Sequence, residues 1–248
     1  MSTTRKIREK FAEFRRAERK AYWLWDQGRW RYFTYRHRKE ALLNSVFDRE
    51  HAIETAVEIP LGAVGVPQAD VARGNAVYRP LTETVFRAAL ASVHFDPAKF
   101  TFVDIGSGKG KVMFMAADHA FRRIVGIEYA AGLHEVALRN IASYRSKTQI
   151  CKAIEAVHAD VLEYTLPEGP LLLFIFNALA KQTMRGFLEK VDREAARDPK
   201  RPIALIYTNV RTVAEIGNVF SALPNLRIIR RERKYVVIAN EAAAALAQ

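Results

Sequence analysis

The sequence predicts an α/β fold in which a mostly parallel sheet ends in an antiparallel hairpin and follows an N-terminal helical extension rich in basic and aromatic residues. Two observations carry this prediction. From residue 100 onward, short apolar runs alternate with helical stretches in the order βαβαβ, which is typical of a parallel sheet. The last apolar segment, LRIIRRERKYVVIAN at residues 226–240, instead predicts two strands joined through Glu232, Arg233 and Lys234.

The first predicted strand, residues 100–104, leads into a glycine-rich turn and a helix over residues 109–119. The turn lies within TFVDIGSGKGKV at residues 101–112 and has alternate glycines at Gly106, Gly108 and Gly110. Glycine lets the backbone pass close to a ligand, and the N-terminus of a helix favours polar or anionic groups. The segment therefore predicts a site for a nucleotide-like cofactor.

The spacing in this turn argues against a dinucleotide. A dinucleotide fingerprint in register with Gly106 and Gly108 needs a third glycine at position 111, where this chain has Lys111. The carboxylate of Asp104, just before the glycines, would repel a pyrophosphate and would attract an ammonium or sulfonium group. The turn therefore favours a cofactor that carries a positive charge.

The remaining elements extend the alternation of strands and helices. They are a strand at 123–127, a helix at 131–146, a strand at 155–159, a strand at Leu171–Phe176, a helix to about residue 196, a strand at Ile203–Tyr207 and a helix at 211–222. The run Leu171–Phe176 is apolar throughout, as expected of a central parallel strand covered on both faces. The Ala-rich end of the chain predicts a frayed helix or a disordered tail.

Acids follow the first three strands: Asp104, then Glu128 after 24 residues, then Asp160. This order, with the pattern D-x-G-x-G-x-G, resembles the class I S-adenosylmethionine (SAM)-dependent methyltransferases over roughly residues 76–240. The resemblance implies a doubly wound, Rossmann-like, seven-stranded sheet, SAM as the cofactor and direct methyl transfer to an acceptor. The acceptor class stays open between a protein side chain, a nucleic acid and a small molecule.

The resemblance also implies roles for individual residues. Asp104 and the glycine loop surround the methionine part of the cofactor, Glu128 binds the ribose hydroxyls, and Asp160 bonds the adenine amino group. The full set of expected cofactor-binding residues is Asp104, Gly106, Ser107, Gly108, Gly110, Glu128, Asp160, Val161, Tyr78 and Thr82. Simpler interpretations stay open, because Glu128 and Asp160 could be cap or turn residues and Pro80 with Thr82 could only start a helix.

Asn177 ends the fourth strand and is the candidate at the methyl-transfer position. Relatives that methylate planar nitrogens have Asn or Asp followed by Pro-Pro and an aromatic residue, whereas this chain has NALA at 177–180. Asn177 could alternatively cap the next helix. Tyr129, His134 and Tyr207 are weaker candidates for a general base. No paired-acid metal motif is present, so we predict no metal.

Residues 1–40 contain thirteen Lys or Arg and five Asp or Glu, which places +8 of the chain's +12 in this segment. They also contain all three tryptophans, Trp23, Trp25 and Trp30. Such a segment can bind nucleic acid, or it can pack as a helix across the catalytic domain with its arginines in solvent. Docking on an anionic membrane is a third, weaker interpretation. The alternative function is accordingly a non-catalytic binding protein that works through this arm.

Length and composition agree with one catalytic domain and an extension. We divide the 248 residues into an extension at 1–75, a methyltransferase domain at 76–240 and a tail at 241–248. Cys151 is the only cysteine, which excludes an intrachain disulfide and favours a reducing compartment. The longest apolar run, residues 171–180, is too short to span a bilayer, so we expect a cytoplasmic protein. Nothing in the sequence specifies an oligomeric state.

Overall fold

The computed structural model describes residues 34–67, 77–208 and 223–246. The chain divides into two compact units, Met1–Leu43 and Asn44–Gln248. In the smaller unit, residues 34–43 are helical, and Arg36 forms an ion pair with Glu40 one turn later at 2.9 Å. The tryptophan-rich residues 1–33 lie outside the described residues, and all the elements below belong to the larger unit.

The larger unit alternates strands and helices along most of its length. Its helices are α1 (residues 44–51), α2 (Glu83–Leu90), α3 (Lys111–Ala116), α4 (Ala131–Ser143), α5 (Lys181–Arg197) and α6 (Glu241–Leu246). Its strands are β1 (Ile59–Pro60), β2 (Val77–Tyr78), β3 (Thr101–Ile105), β4 (Arg123–Glu128), β5 (Ile154–His158), β6 (Leu171–Phe176), β7 (Ile203–Thr208), β8 (Arg227–Arg231) and β9 (Tyr235–Ala239). The helix predicted at 211–222 lies outside the described residues.

Seven of these strands form one sheet in the order β5-β4-β3-β6-β7-β9-β8. Neighbouring strands from β5 to β7 are parallel, whereas β9 runs antiparallel to both β7 and β8. The predicted fold class, a mostly parallel seven-stranded sheet with a terminal antiparallel hairpin, is therefore confirmed. The short strands β1 and β2 form a separate antiparallel pair.

The strand order reverses next to β3. From β3 the chain moves outward to β4 and β5, and it then returns to the other side of β3 to form β6. Helices that leave neighbouring strands in opposite directions open a crevice at the carboxyl ends of those strands, which is where ligands bind in open α/β sheets. The fold itself thus places a candidate site between the ends of β3 and β6.

Apolar side chains cover both faces of the sheet. One cluster contains Phe86, Phe102 and Phe174, and the other contains Val103 and Phe187 among many others. Successive residues of a strand point to opposite faces, so the buried strands β3 and β6 contribute to both clusters.

Two predicted elements differ from the structure at their ends. The helix expected to start at residue 109 starts at Lys111, because Gly110 adopts a left-handed conformation at the N-cap. The Ala-rich tail is not frayed over residues 241–246 but forms α6, with Ala243 and Ala244 buried. Asn240 explains this order, since its Oδ1 accepts a hydrogen bond from the Ala243 backbone N–H at 3.0 Å.

Candidate cofactor site

A cavity of about 1490 Å³ opens at the carboxyl ends of the parallel strands. Its walls include the ends of β3, β4 and β6, the loop after β5 and the first half of α5. The predicted residues that line it are Tyr78, Asp104, Gly106, Ser107, Gly108, Glu128, Asp160, Val161 and Asn177. Pockets for a single small molecule usually measure roughly 300–1,000 Å³, so this cavity has room for two reactants side by side.

The glycine loop is shaped by close contacts on both sides. Gly106 and Gly108 have φ angles of 69° and 55°, in the left-handed region that favours glycine. A Cβ at Gly106 would lie 2.2 Å from the Cβ of Ala178, and one at Gly108 would lie 2.4 Å from the ring of Tyr78. Any larger residue at either position would therefore clash with a wall of the cavity.

Asp104 is buried at the bottom of this site, with 2% of its surface exposed. None of the described residues donates a hydrogen bond to its Oδ2 or pairs with the buried Oγ of Ser107. Burial, and then the nearby charge of Glu128, raise the pKa of Asp104 well above its ordinary value. An unpaired buried carboxylate is costly unless a ligand supplies a donor, so the site fits a cationic group.

Glu128 holds the glycine loop from the side of β4. Its Oε2 accepts a hydrogen bond from the Gly108 backbone N–H at 2.7 Å, and its Oε1 accepts one from the Ala130 N–H at 2.7 Å. Burial raises the pKa of Glu128, and these backbone hydrogen bonds partly offset that rise. A carboxylate has about four lone-pair sites, so the group can also accept a hydrogen bond from a ligand hydroxyl.

Asp160 and Val161 lie in the loop that follows β5. The Oδ1 of Asp160 accepts a hydrogen bond from the Leu162 backbone N–H at 2.8 Å, so the residue does shape a turn while it lines the cavity. Lys190 of α5 fastens the same loop, because its ammonium donates to the carbonyls of Val161 and Leu162, both at 2.9 Å, and to that of Tyr164. No local pattern in the sequence predicts this role of Lys190.

Tyr78 and Thr82 were expected beside the cofactor, and only Tyr78 lines the cavity. The Tyr78 hydroxyl donates to the Thr55 carbonyl at 3.1 Å, and burial raises the pKa of this hydroxyl well above its ordinary value. Thr82 occupies the N-cap of α2, where its carbonyl accepts from Val85 and Phe86 and its side chain makes no capping hydrogen bond. Gly110 likewise does not line the cavity.

Asn177 lines the cavity with a φ of 51°, which is unusual for a residue other than glycine. The N-cap of α5 is Ala180, so Asn177 does not occupy the capping position that the alternative interpretation requires. Among the other candidates for a general base, Tyr129 lines the cavity and is half exposed. His134 and Tyr207 do not line the cavity, and His134 instead stacks on His158 at 5.5 Å between ring centroids.

The described residues contain no group of three or more His, Cys, Asp or Glu side chains placed to hold a metal ion. Over the same part of the chain, no helix has the length and apolar character needed to cross a membrane.

No protein-family model matches this chain, and no curated protein matches it in sequence. Solved structures do resemble it in fold. A precorrin-6y C5,15-methyltransferase from Geobacter metallireducens is 17% identical, with a TM-score of 0.48 over 64% of this chain and 88% of that one. A putative RNA methyltransferase from Pyrococcus horikoshii is 15% identical, with a TM-score of 0.48 over 82% and 94%.

A predicted N6-adenine-specific DNA methylase from Listeria monocytogenes is 13% identical, with a TM-score of 0.48 over 70% of this chain and 53% of that one. These neighbours are methyltransferases by name, and the substrates that their names give differ from one to the next. At such identities, the likeness is one of fold alone.

Proposed function

We propose that this chain is a SAM-dependent methyltransferase that transfers a methyl group directly to an acceptor bound in the same cavity. One observation carries the proposal: the buried Oδ2 of Asp104 has no partner among the described residues, and Asp104 lines the cavity where the strand order reverses. An ammonium group on a ligand would both neutralise and hydrogen-bond this carboxylate. A dinucleotide would bring a pyrophosphate to the same place.

The proposed cofactor lies across three neighbouring strand ends. Asp104, Glu128 and Asp160 belong to the carboxyl ends of β3, β4 and β5, which are consecutive in the sheet. Neighbouring strands are about 4.8 Å apart, so the three carboxylates are spread over roughly 10 Å. In this arrangement Asp104 receives the ammonium, Glu128 the ribose hydroxyls, and Asp160 with Val161 the adenine.

The glycine loop fits the same cofactor. Because Gly106 and Gly108 have no side chains, the backbone between β3 and α3 can approach the ligand closely. The unpaired Oγ of Ser107 adds a second hydrogen-bonding group from the loop. Thr82 and Gly110 do not line the cavity, and we leave both out of the proposed contact set.

The sulfonium of bound SAM supplies an already activated methyl group, so the protein's task is to position the acceptor and to exclude water. Asn177 and Tyr129, at the ends of β6 and β4, line the cavity where an acceptor can lie beside the cofactor. A general base is needed only for an acceptor that binds in its protonated form. The direct transfer proposed here requires no covalent intermediate on the protein.

The acceptor is a protein side chain, a nucleic acid or a small molecule. Most of the arm on which the nucleic-acid interpretation rests, residues 1–33, lies outside the described residues, and we advance no second function from it. Incubating the full chain with methyl-labelled SAM and separate protein, RNA and metabolite fractions will identify the acceptor class by the fraction that takes up label.

Calorimetric titration with SAM tests the proposed function itself. We expect one cofactor to bind per chain, and we expect Asp104→Ala and Glu128→Ala to weaken binding strongly because each removes a carboxylate that faces the ligand. Absence of SAM binding to the wild-type protein would sink the proposal. So would a SAM affinity in both variants equal to that of the wild type.

A further inference from the structure

The glycine loop contains a lysine that does not face solvent. Lys109 lies between Gly108 and Gly110, and its side chain is completely buried. Its Nζ donates to the Val57 carbonyl at 3.2 Å and lies 3.4 Å from Oε1 of Glu54. The loop is therefore attached to a segment that precedes it by about fifty residues.

Asn140 of α4 ties the backbones of the same two segments together. Its Oδ1 accepts from the Glu54 N–H at 2.8 Å, while its Nδ2 donates to the carbonyls of Glu54 at 3.1 Å and Lys109 at 2.9 Å. Only 3% of its surface is exposed. One buried amide thus makes three hydrogen bonds, all of them to the loop or to the segment that holds it.

The segment is itself fixed at its start. The carboxylate of Asp48 accepts hydrogen bonds from the Thr55 N–H, the Thr55 hydroxyl and the Ala56 N–H, at 2.5 to 2.6 Å. One turn earlier in α1, Asn44 accepts a hydrogen bond from the ammonium of Lys111. We call residues 44–57 the brace. They contact the glycine loop through Lys109 and the first residue of α3 through Lys111.

We propose that the brace holds the glycine loop in its cofactor-binding conformation, and that Lys109 and Asn140 are the positioning residues through which it acts. This inference rests on the proposed function. It extends the working part of the site to residues well before the predicted catalytic domain, whose expected start was residue 76.

The physical reason lies in the composition of the loop. Three alternate glycines, all with positive φ, can adopt many conformations, and the conformation in this structure directs the Gly108 N–H at Glu128. Glu128 holds the loop through the Gly108 N–H, and the brace holds it through the side chain of Lys109. If the brace contacts are lost, a smaller fraction of molecules has the loop in its cofactor-binding conformation. The apparent Kd for SAM then rises by the factor by which that fraction falls.

The test compares two buried cations in the full-length chain. Lys109→Met removes the brace contact. The matched control is Arg201→Met, which removes a buried guanidinium at the amino ends of β6 and β7, where it bonds the carbonyls of Gly169 and Pro167 and the carboxylate of Glu194. SAM affinity is measured by calorimetry well below the Tm of each variant.

We expect both substitutions to lower Tm and only Lys109→Met to weaken SAM binding, by about tenfold or more. Equal affinity of Lys109→Met and the wild type would overturn the brace proposal and leave the proposed function standing. An equal loss of affinity in Arg201→Met would also overturn it, because general destabilisation would then explain both. Absence of SAM binding to the wild type would overturn the proposed function and this inference with it.

Hydrogen exchange on the wild-type protein gives an answer even if Lys109→Met does not fold. We expect SAM to slow exchange at the backbone amides of Thr55 and Ala56 in the brace, although neither residue lines the cavity. Unchanged exchange at these amides in the presence of saturating SAM would show that the loop and the brace are independent, and would overturn the proposal.

Discussion

The two edges of the parallel sheet differ in how completely their buried polar groups are paired. At the amino edge, Arg201 bonds two carbonyls and a carboxylate, and Asn240 bonds the backbone of Ile203, Arg201 and Ala243. At the carboxyl edge, the buried oxygens Oδ2 of Asp104 and Oγ of Ser107 have no partner among the described residues.

This difference separates structural from ligand-binding polar groups. A buried group whose hydrogen bonds are complete contributes stability, whereas one that is left unpaired costs free energy that a ligand can recover. Substitutions at the two edges should therefore have opposite effects, with binding lost at the carboxyl edge and stability lost at the amino edge.

The largest effect is expected from Asp104→Asn. Replacing the carboxylate with an amide of the same shape removes the charge that faces the cofactor, so SAM affinity should fall about 100-fold, or roughly 3 kcal/mol. The free energy of unfolding should not fall, because the carboxylate makes no hydrogen bond through Oδ2 in the ligand-free protein and the amide removes the cost of burying that charge. Calorimetry and urea unfolding measure the two quantities, and a large loss of stability without a loss of affinity would reverse our assignment.

Asn240→Ala should show the opposite behaviour. It removes three hydrogen bonds at the amino edge, including the one that starts α6, so the free energy of unfolding should fall by about 2–3 kcal/mol. SAM affinity should stay at the wild-type value, because Asn240 lies outside the cavity lining. A variant with unchanged stability in urea unfolding, or with weakened SAM binding, would contradict the contrast between the edges.

The free energy of unfolding should depend on pH through Asp104 at the carboxyl edge. The pKa of Asp104 is raised in the folded chain, so between its ordinary value of 3.8 and the raised value the native state holds a proton that the unfolded state has lost. Stability should therefore fall as pH rises through this window, and Asp104→Asn should remove that part of the slope. Urea unfolding of the wild type and of Asp104→Asn across this pH window measures how the free energy of unfolding changes with pH. Identical slopes in the two proteins would refute the raised pKa of Asp104.

The same carboxyl group should release its proton when a cationic ligand binds. SAM affinity should therefore increase with pH through the window, and titrations in buffers of different ionisation enthalpy should detect the released proton. Asp104→Asn is the control, since its amide has no proton to release. If the wild type and the variant release the same number of protons when SAM binds, the ligand does not contact Asp104.

A smaller effect is expected at Asn177, whose backbone is left-handed with a φ of 51°. Asn177→Gly should be about 1 kcal/mol more stable than Asn177→Ala, because glycine adopts this conformation without the strain that the Cβ of alanine introduces. Methyl-transfer rates should fall equally in both variants, since both lack the amide. Equal stability of the two variants would mean that this turn is not strained, and a full rate in Asn177→Gly would exclude a role for the side chain.

Local patterns in the sequence were sufficient to predict the sheet and the three acids. Each buried strand is a short apolar run, and Asp104, Glu128 and Asp160 follow such runs directly, so strand polarity places them at one edge. Tyr78 also lines the cavity, and its placement there was expected from the resemblance and not from a local pattern.

The brace could not be predicted in this way, because its contacts join residues that are far apart in the chain. Lys109 meets Glu54 across 55 positions, and Asn140 meets Glu54 across 86. A lysine between two glycines is typical of an exposed loop, so no local pattern indicated that the Lys109 ammonium is buried. The ordered tail was missed for a similar reason, since the Asn240 hydrogen bond to Ile203 spans 37 positions.

The proposed function depends on one contact, between the buried carboxylate of Asp104 and the ammonium of SAM. A double-mutant cycle tests this contact by measuring the affinity of the wild type and of Asp104→Asn for SAM and for an analogue that lacks the α-amino group. If the two groups touch, each single change should weaken binding strongly and the second change should then cost little. If loss of the α-amino group weakens binding by the same factor in the wild type and in Asp104→Asn, the two losses are additive. That result would show that Asp104 and the ammonium do not interact.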